Sequence, residues 1–68
     1  MQGSVENFFK VLDEAKRTYA NLNFELTFKK YYRMLVEVDG KTVFDIKGNE
    51  TNILFDNAAT KLLNFLRS

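Results

Sequence analysis

The sequence predicts an α+β fold with the element order α-β-β-β-α, in which two helices pack on one face of a three-stranded antiparallel sheet. Apolar residues recur at helical spacing before residue 20 and again after residue 50, which predicts a helix at each end. From Phe24 to Ile46 apolar and polar residues alternate instead, which is typical of strands with one buried face. The 68 residues suit one small domain, predicted over residues 4–67.

The first helix is predicted to follow Ser4, whose hydroxyl can cap it by accepting from a main-chain N–H of the first turn. Asn21 and Asn23 are predicted to end it, because asparagine tolerates the left-handed conformation found at many helix ends. The segment Met1-Gln2-Gly3-Ser4 is a candidate remnant of cloning. The packing stripe of the helix consists of Phe8, Leu12, Ala15 and Tyr19.

The first two strands are predicted to form a hairpin with a three-residue loop that pairs Phe28 with Tyr32. A single strand from Phe24 to Val38 would keep the same alternation. It would be about 50 Å long at roughly 3.3 Å per residue, which is too long for a compact monomer. The hairpin is therefore favoured.

The second hairpin is predicted to turn through a three-residue loop in which Gly40 takes a positive φ and forms a bulge. This register places opposite charges against each other on the outer face of the sheet and apolar residues against each other on the helix side. Leu35 then faces Val43 on the outer face. The other expected pairs are Glu37–Lys41, Arg33–Asp45, Met34–Phe44 and Tyr32–Ile46.

The second helix is predicted to begin after Gly48, with Thr51 or Asn52 as its cap. Its apolar residues again recur at helical spacing. Ala58, Leu62 and Leu66 form the stripe, flanked by Leu54, Ala59, Leu63 and Phe65.

The stretch from Gly48 to Ala59 resembles the last third of a double-stranded-RNA-binding domain, whose pattern there is Gly-x-Ser-Lys-Lys-x-Ala-Lys-x-x-Ala-Ala. The spacing of Gly48 and of Ala58-Ala59 agrees with that pattern. The segment 35–41 resembles the second strand and turn of the same family, and Asp13 and Ala15 match positions of its first helix. The resemblance covers nearly the whole chain and implies the fold predicted above.

The residues by which this family holds RNA are largely replaced. The family uses polar side chains of its first helix, a His-bearing loop after its first strand, and lysines at the start of its second helix. Here Thr51, Asn52 and Phe55 stand at the lysine positions, and the loop lacks the family's Gly-Pro and His. Binding by counterion release needs several cations on phosphates, so we expect weak, salt-sensitive RNA binding at most. The candidate residues for a residual RNA contact are Lys16, Arg17, Lys29, Lys30 and Arg33.

The resemblance implies protein association instead, by self-pairing or by docking a partner, since family members that do not bind RNA commonly pair through their third strand. Leu35, Val43 and Asp45 are the candidate interface residues beside that strand, whose free edge offers unpaired main-chain groups. Ile53 and Phe55 form a candidate second docking surface; for Phe55 the alternative is burial in the core. The parent protein is then expected to act in double-stranded RNA metabolism, in the cytoplasm or nucleus.

Two alternative functions stay open: weak double-stranded RNA binding through the basic loop, and an unrelated small inhibitor or interaction protein with the same element order. The charge of +1 and pI near 8.0 are low for a nucleic-acid-binding domain, which more often has a pI above ~9.

The absence of Cys and His removes the commonest catalytic and zinc-binding side chains. We therefore expect no enzyme activity, cofactor, metal or small-molecule ligand. No apolar run is long enough to predict a membrane span, and no membrane partner is expected.

Overall fold

Two helices and three strands follow one another in the predicted α-β-β-β-α order, which confirms the α+β class. The computed structural model describes residues 3–68; Met1 and Gln2, part of the candidate cloning remnant, lie outside the described residues. The elements are α1 (Ser4–Thr18), β1 (Leu22–Phe28), β2 (Tyr32–Val38), β3 (Lys41–Gly48) and α2 (Thr51–Arg67).

The three strands form an antiparallel sheet in the order β1-β2-β3, so β2 is central and the other two strands are edges. The β1–β2 register runs without interruption from the pair Leu22–Val38 to the pair Phe28–Tyr32. The predicted three-residue loop and the pairing of Phe28 with Tyr32 are confirmed. Within this loop the Lys29 N–H donates to the Tyr31 carbonyl at 3.3 Å.

The β2–β3 hairpin does not have the predicted register. Asp39 and Gly40 both have positive φ, 53° and 78°, and form a two-residue turn that places Val38 opposite Lys41. Positive φ at both central residues defines a type I′ turn, which suits the twist of a hairpin and favours Asp-Gly. Leu35 therefore lies opposite Asp45, not opposite Val43. The shift amounts to two residues along this part of the strand, so each β2 side chain keeps its predicted face.

A bulge in β3 accompanies this register. Val36 pairs with Phe44 and Glu37 pairs with Thr42, which leaves Val43 as the extra residue. The bulge interrupts the alternation of β3, and both Val43 and Phe44 pack against the core. The prediction that Val43 lies on the outer face is wrong for this reason.

Both helices pack on the same face of the sheet, called the helix side below. They run in the same direction, because Phe8 contacts Phe55 near their first turns (5.4 Å between ring centroids) and Tyr19 contacts Phe65 near their last turns (5.1 Å). The helix-side residues Met34, Val36 and Phe44 are buried beneath them. The helices contribute the rest of the core: Phe8, Val11, Leu12, Ala15, Leu54, Phe55, Ala58, Ala59 and Leu62.

The helix ends differ from the predicted ones. Gly3 and Glu50 are the N-cap residues, and neither accepts a side-chain capping hydrogen bond from its helix. Ser4, Thr51 and Asn52 lie inside the first turns, so their predicted capping roles are wrong. Because Tyr19 is extended, α1 ends at Thr18, before the two asparagines. Asn21 instead donates from Nδ2 to Asp39 Oδ1 at 3.2 Å.

Candidate protein interface

Phe55 belongs to the core and not to a docking surface. Its side chain is only 5% exposed and packs against Phe8. Ala59 lies four positions later, about one helical turn away, so the two lie on the same buried face of α2. Of the predicted second surface only Ile53 is exposed, at 57%.

The outer face of the sheet is largely polar around Leu35, which is partly buried. Glu25 of β1 and Asp45 of β3 lie on either side of it. With Val43 turned toward the core, the predicted apolar pair is absent from this face. Leu35 and Asp45 remain on the sheet surface, but they do not form an apolar docking site.

Arg33 and Asp45 form the predicted ion pair, though they are not directly opposite each other. Arg33 lies opposite Lys47 and reaches diagonally to Asp45. Its Nε donates to Oδ1 at 2.9 Å and its Nη2 donates to Oδ2 at 2.6 Å. These hydrogen bonds lower the pKa of Asp45 from its ordinary value and raise the pKa of Arg33. Both side chains are exposed to water, so the pair contributes little to stability.

The five candidate RNA-contact residues do not lie together. Lys16 and Arg17 are in the last turn of α1, next to the start of β1, whereas Lys29 and Lys30 lie in the loop after its end. A seven-residue strand separates these two groups by about 20 Å. Arg33 is engaged by Asp45, and Lys16 Nζ lies 3.9 Å from Asp13.

An additional cation lies beside the basic loop. Lys47 Nζ is 5.6 Å from the centroid of the Tyr31 ring, within reach of a cation–π contact. The corrected β2–β3 register places Lys47 opposite Arg33. Lys29, Lys30, Arg33 and Lys47 therefore belong to one end of the sheet, and Lys47 was not among the residues that the sequence predicted for this group.

An apolar surface that sequence reasoning missed lies on the helix side of β1. We call it the β1 apolar patch and define it by Phe9, Phe24, Leu26 and Phe28. Phe28 is 61% exposed, Leu26 is 42% exposed and Phe9 is 41% exposed. The Phe24 ring contacts Phe8 and Phe9 at 5.3 and 6.0 Å, whereas the Phe28 ring contacts Tyr32 of the neighbouring strand at 4.7 Å. The end of β1 therefore continues past its contact with α1. The alternation of apolar and polar residues in β1 predicts that these side chains lie on the helix side. It does not predict how much of that side the helices cover.

The patch adjoins an open sheet edge. The Asp39 N–H donates to the Asn21 carbonyl at 3.1 Å, and this contact continues the β1–β2 register. Hydrogen-bonded pairs alternate in an antiparallel ladder, so the main-chain groups of Asn23, Glu25 and Thr27 point to β2. Those of the residues between them point to the free edge. In the part of the chain that the structure describes, no main-chain hydrogen bond outside the helices and the sheet involves Phe24, Leu26 or Phe28.

Between residues 3 and 68, no three or more acidic, His or Cys side chains are grouped so that they could hold a metal ion. No helix there is both long and apolar enough to cross a membrane.

No protein-family model matches this chain, and searches of curated proteins and of solved structures found no significant match.

Proposed function

We propose that this domain mediates protein association through β1 and its apolar patch. One observation carries the proposal: Leu26 and Phe28 are exposed on the same strand whose outer main-chain groups are unpaired. Exposed apolar patches commonly mark interaction sites. An open edge adds a second source of binding, because a partner strand can pair with its N–H and C=O groups. Together they favour a partner that adds a strand to the sheet.

The β3 edge, which the sequence favoured, is less suited to this role. The bulge at Val43 disrupts a regular ladder, and bulges are one means by which edge strands resist pairing. Asp45 and Lys47 add charges to the same strand. The association surface is therefore assigned to β1, with Leu35 and Asp45 outside it.

The resemblance to double-stranded-RNA-binding domains extends this proposal to the parent protein, which would act in double-stranded RNA metabolism. The domain itself would contribute contacts to protein there. The start of α2 supports this division of roles, because Thr51 and Asn52 bring no positive charge to the place where the family puts lysines.

A second candidate function is weak binding of duplex RNA at the basic loop. Lys47 favours it, since it adds a cation to Lys29 and Lys30 at one end of the sheet. Three cations on phosphates give a sequence-independent affinity that falls steeply with salt. The loop is about 20 Å from Lys16 and Arg17, so these groups would contact separate parts of a duplex.

A titration with a short RNA duplex at physiological ionic strength tests the proposal against this alternative. We expect the amide chemical shifts of Lys29, Lys30, Thr51 and Asn52 to stay unchanged, because too few cations face one duplex. Micromolar binding that weakens steeply with salt and is lost in the Lys29→Glu/Lys30→Glu variant would contradict the proposal. A Lys61→Glu/Arg67→Glu variant changes the net charge by the same amount at two exposed positions of α2 and is the matched control.

A further inference from the structure

We infer that the partner at the β1 edge is a second copy of this chain, paired through an antiparallel β1–β1 contact on a two-fold axis at Thr27. The inference rests on the proposed association through β1 and specifies its partner. A two-fold contact is made by the same surface on both copies. The side chains of β1 must therefore suit those of a second β1 that runs in the opposite direction. The result would be a continuous six-stranded sheet with all four helices on one side.

The main chain restricts the registers that can form. The groups on the free edge belong to Leu22, Phe24, Leu26 and Phe28, so these residues must make the hydrogen bonds between copies. Among the axes that satisfy this condition, those at Glu25, Leu26 and Thr27 place Phe28 opposite a different residue of β1 in the other copy. In each case the apolar residues of both copies stay on the helix side.

Charge excludes an axis at Glu25 or at Leu26. With the axis at Glu25, the two Glu25 carboxylates lie directly opposite each other, which is destabilising. With the axis at Leu26, Glu25 lies opposite Thr27 of the other copy. In the β2–β3 ladder, Arg33 lies opposite Lys47 but contacts Asp45, two positions before Lys47. A side chain on this face therefore comes close to the residue two positions before the one opposite it. The same diagonal would bring Glu25 to Glu25 of the other copy.

An axis at Thr27 brings unlike groups together instead. Glu25 of each copy lies opposite Lys29 of the other, which gives two opposite-charge pairs on the outer face. On the helix side Leu26 of each copy lies opposite Phe28 of the other. Phe28 is the most exposed of the large apolar side chains between residues 3 and 68. This register therefore removes the most exposed apolar side chain from water.

The size of the contact sets its strength. One strand pair with four apolar side chains falls below the roughly 1,200 Å² of a standard interface, which is the range of weak, transient complexes. We therefore expect the dimer to form in the micromolar range of concentration or above and to be in exchange with the monomer.

Charge reversal tests the register by sedimentation equilibrium of the full chain. Glu25→Lys alone places lysines opposite each other, and Lys29→Glu alone places glutamates opposite each other; each should weaken self-association at least about tenfold. An equimolar mixture of the two variants should restore association, because every pair across the axis is then unlike. Both positions are exposed, and circular dichroism checks that each variant is folded. A mixture no better than the single variants, or a wild-type chain that stays monomeric at millimolar concentration, would overturn the inference.

Cross-linking gives a second, independent readout, because the chain has no cysteine. Opposite residues of a pair without ladder hydrogen bonds have Cα atoms about 4.5 Å apart, within the roughly 4.4–6.8 Å that a disulfide spans. Thr27→Cys should therefore form a covalent dimer under mild oxidation. Thr42→Cys, the same exposed substitution on β3, is the control and should stay monomeric.

The outcomes separate this inference from the proposed function. A dimer that cross-links at Thr42 and not at Thr27 would overturn pairing through β1. A chain that neither self-associates nor binds the RNA duplex would also overturn the inference, but it would leave standing the proposed association of β1 with a different protein.

Discussion

The two edge strands of this sheet are protected to different degrees. β3 carries a bulge at Val43, three charged side chains and a neighbouring helix. β1 is seven residues long, pairs without a bulge and has Glu25 as its one charged residue. Bulges and charges are the usual means of preventing edge-to-edge pairing, and β1 largely lacks them. The comparison indicates that β3 is the better protected edge and that β1 is the less protected one.

Chain connectivity explains part of the difference. Only two residues separate Gly48 from the start of α2, so the helix must return directly onto the sheet beside β3. α1 precedes β1 and meets it at Phe24, where Phe8 and Phe9 contact its ring. The strand then runs on toward Phe28 with no helix attached to its end. The uncovered part of the sheet is therefore the end of β1.

The largest predicted contrast is between two phenylalanines on the helix side. Phe55→Ala should lower the free energy of unfolding by about 3–5 kcal/mol, because it empties a space in the core. Phe28→Ala should lower it by less than about 1 kcal/mol in dilute solution, since this ring is largely exposed. Urea denaturation followed by circular dichroism measures both. Equal losses would mean that the end of β1 is covered in the monomer, and the comparison between the edges would be wrong.

A smaller effect tests the bulge in β3. Val43→Asp should lower the free energy of unfolding by about 1–3 kcal/mol. The bulge turns this side chain against the core, where a carboxylate has no partner. Thr42→Asp, one residue earlier and exposed, should change stability by no more than about 0.5 kcal/mol. Thermal melts of the two variants give the difference. If Val43→Asp were as harmless as Thr42→Asp, the side chain would lie on the outer face and β3 would resemble β1.

The smallest effect concerns the ion pair next to β3. Hydrogen bonds from Arg33 hold the pKa of Asp45 below its ordinary 3.8, so the pair stabilises the fold above that pH. This contribution is lost as the pH falls through the lowered pKa of the folded state. Asp45→Asn should therefore lower the melting temperature slightly at pH 6, with the difference disappearing in acid. Asp56→Asn, an exposed aspartate on α2, is the control. A difference that persists unchanged into acid would show that another contact of Asp45 is responsible.

The sequence predicted the element order and the first hairpin because periodicities of 3.6 and 2 distinguish helix from strand directly. It did not predict the second register, since a shift of two residues leaves every β2 side chain on its face. That register depends on Asp39 adopting a positive φ, a conformation that aspartate tolerates but does not require.

The candidate interface was harder to predict than the fold. Alternation places Leu26 and Phe28 on the helix side, but only the arrangement of the helices decides whether they are covered. Phe55 had two interpretations. A small rotation of α2 about its axis is enough to move this side chain from the exposed position, where the family has a lysine, into the core. Val43 changed face because one bulge interrupts the alternation on which its assignment depended.

The most direct test of the central claim is amide hydrogen exchange as a function of protein concentration. If β1 pairs with another copy about an axis at Thr27, protection should rise with concentration at Leu26 and Phe28, whose N–H groups point to the free edge, while β3 amides stay unchanged. Protection that is the same from micromolar to millimolar concentration, or that rises along β3 instead, would contradict the account.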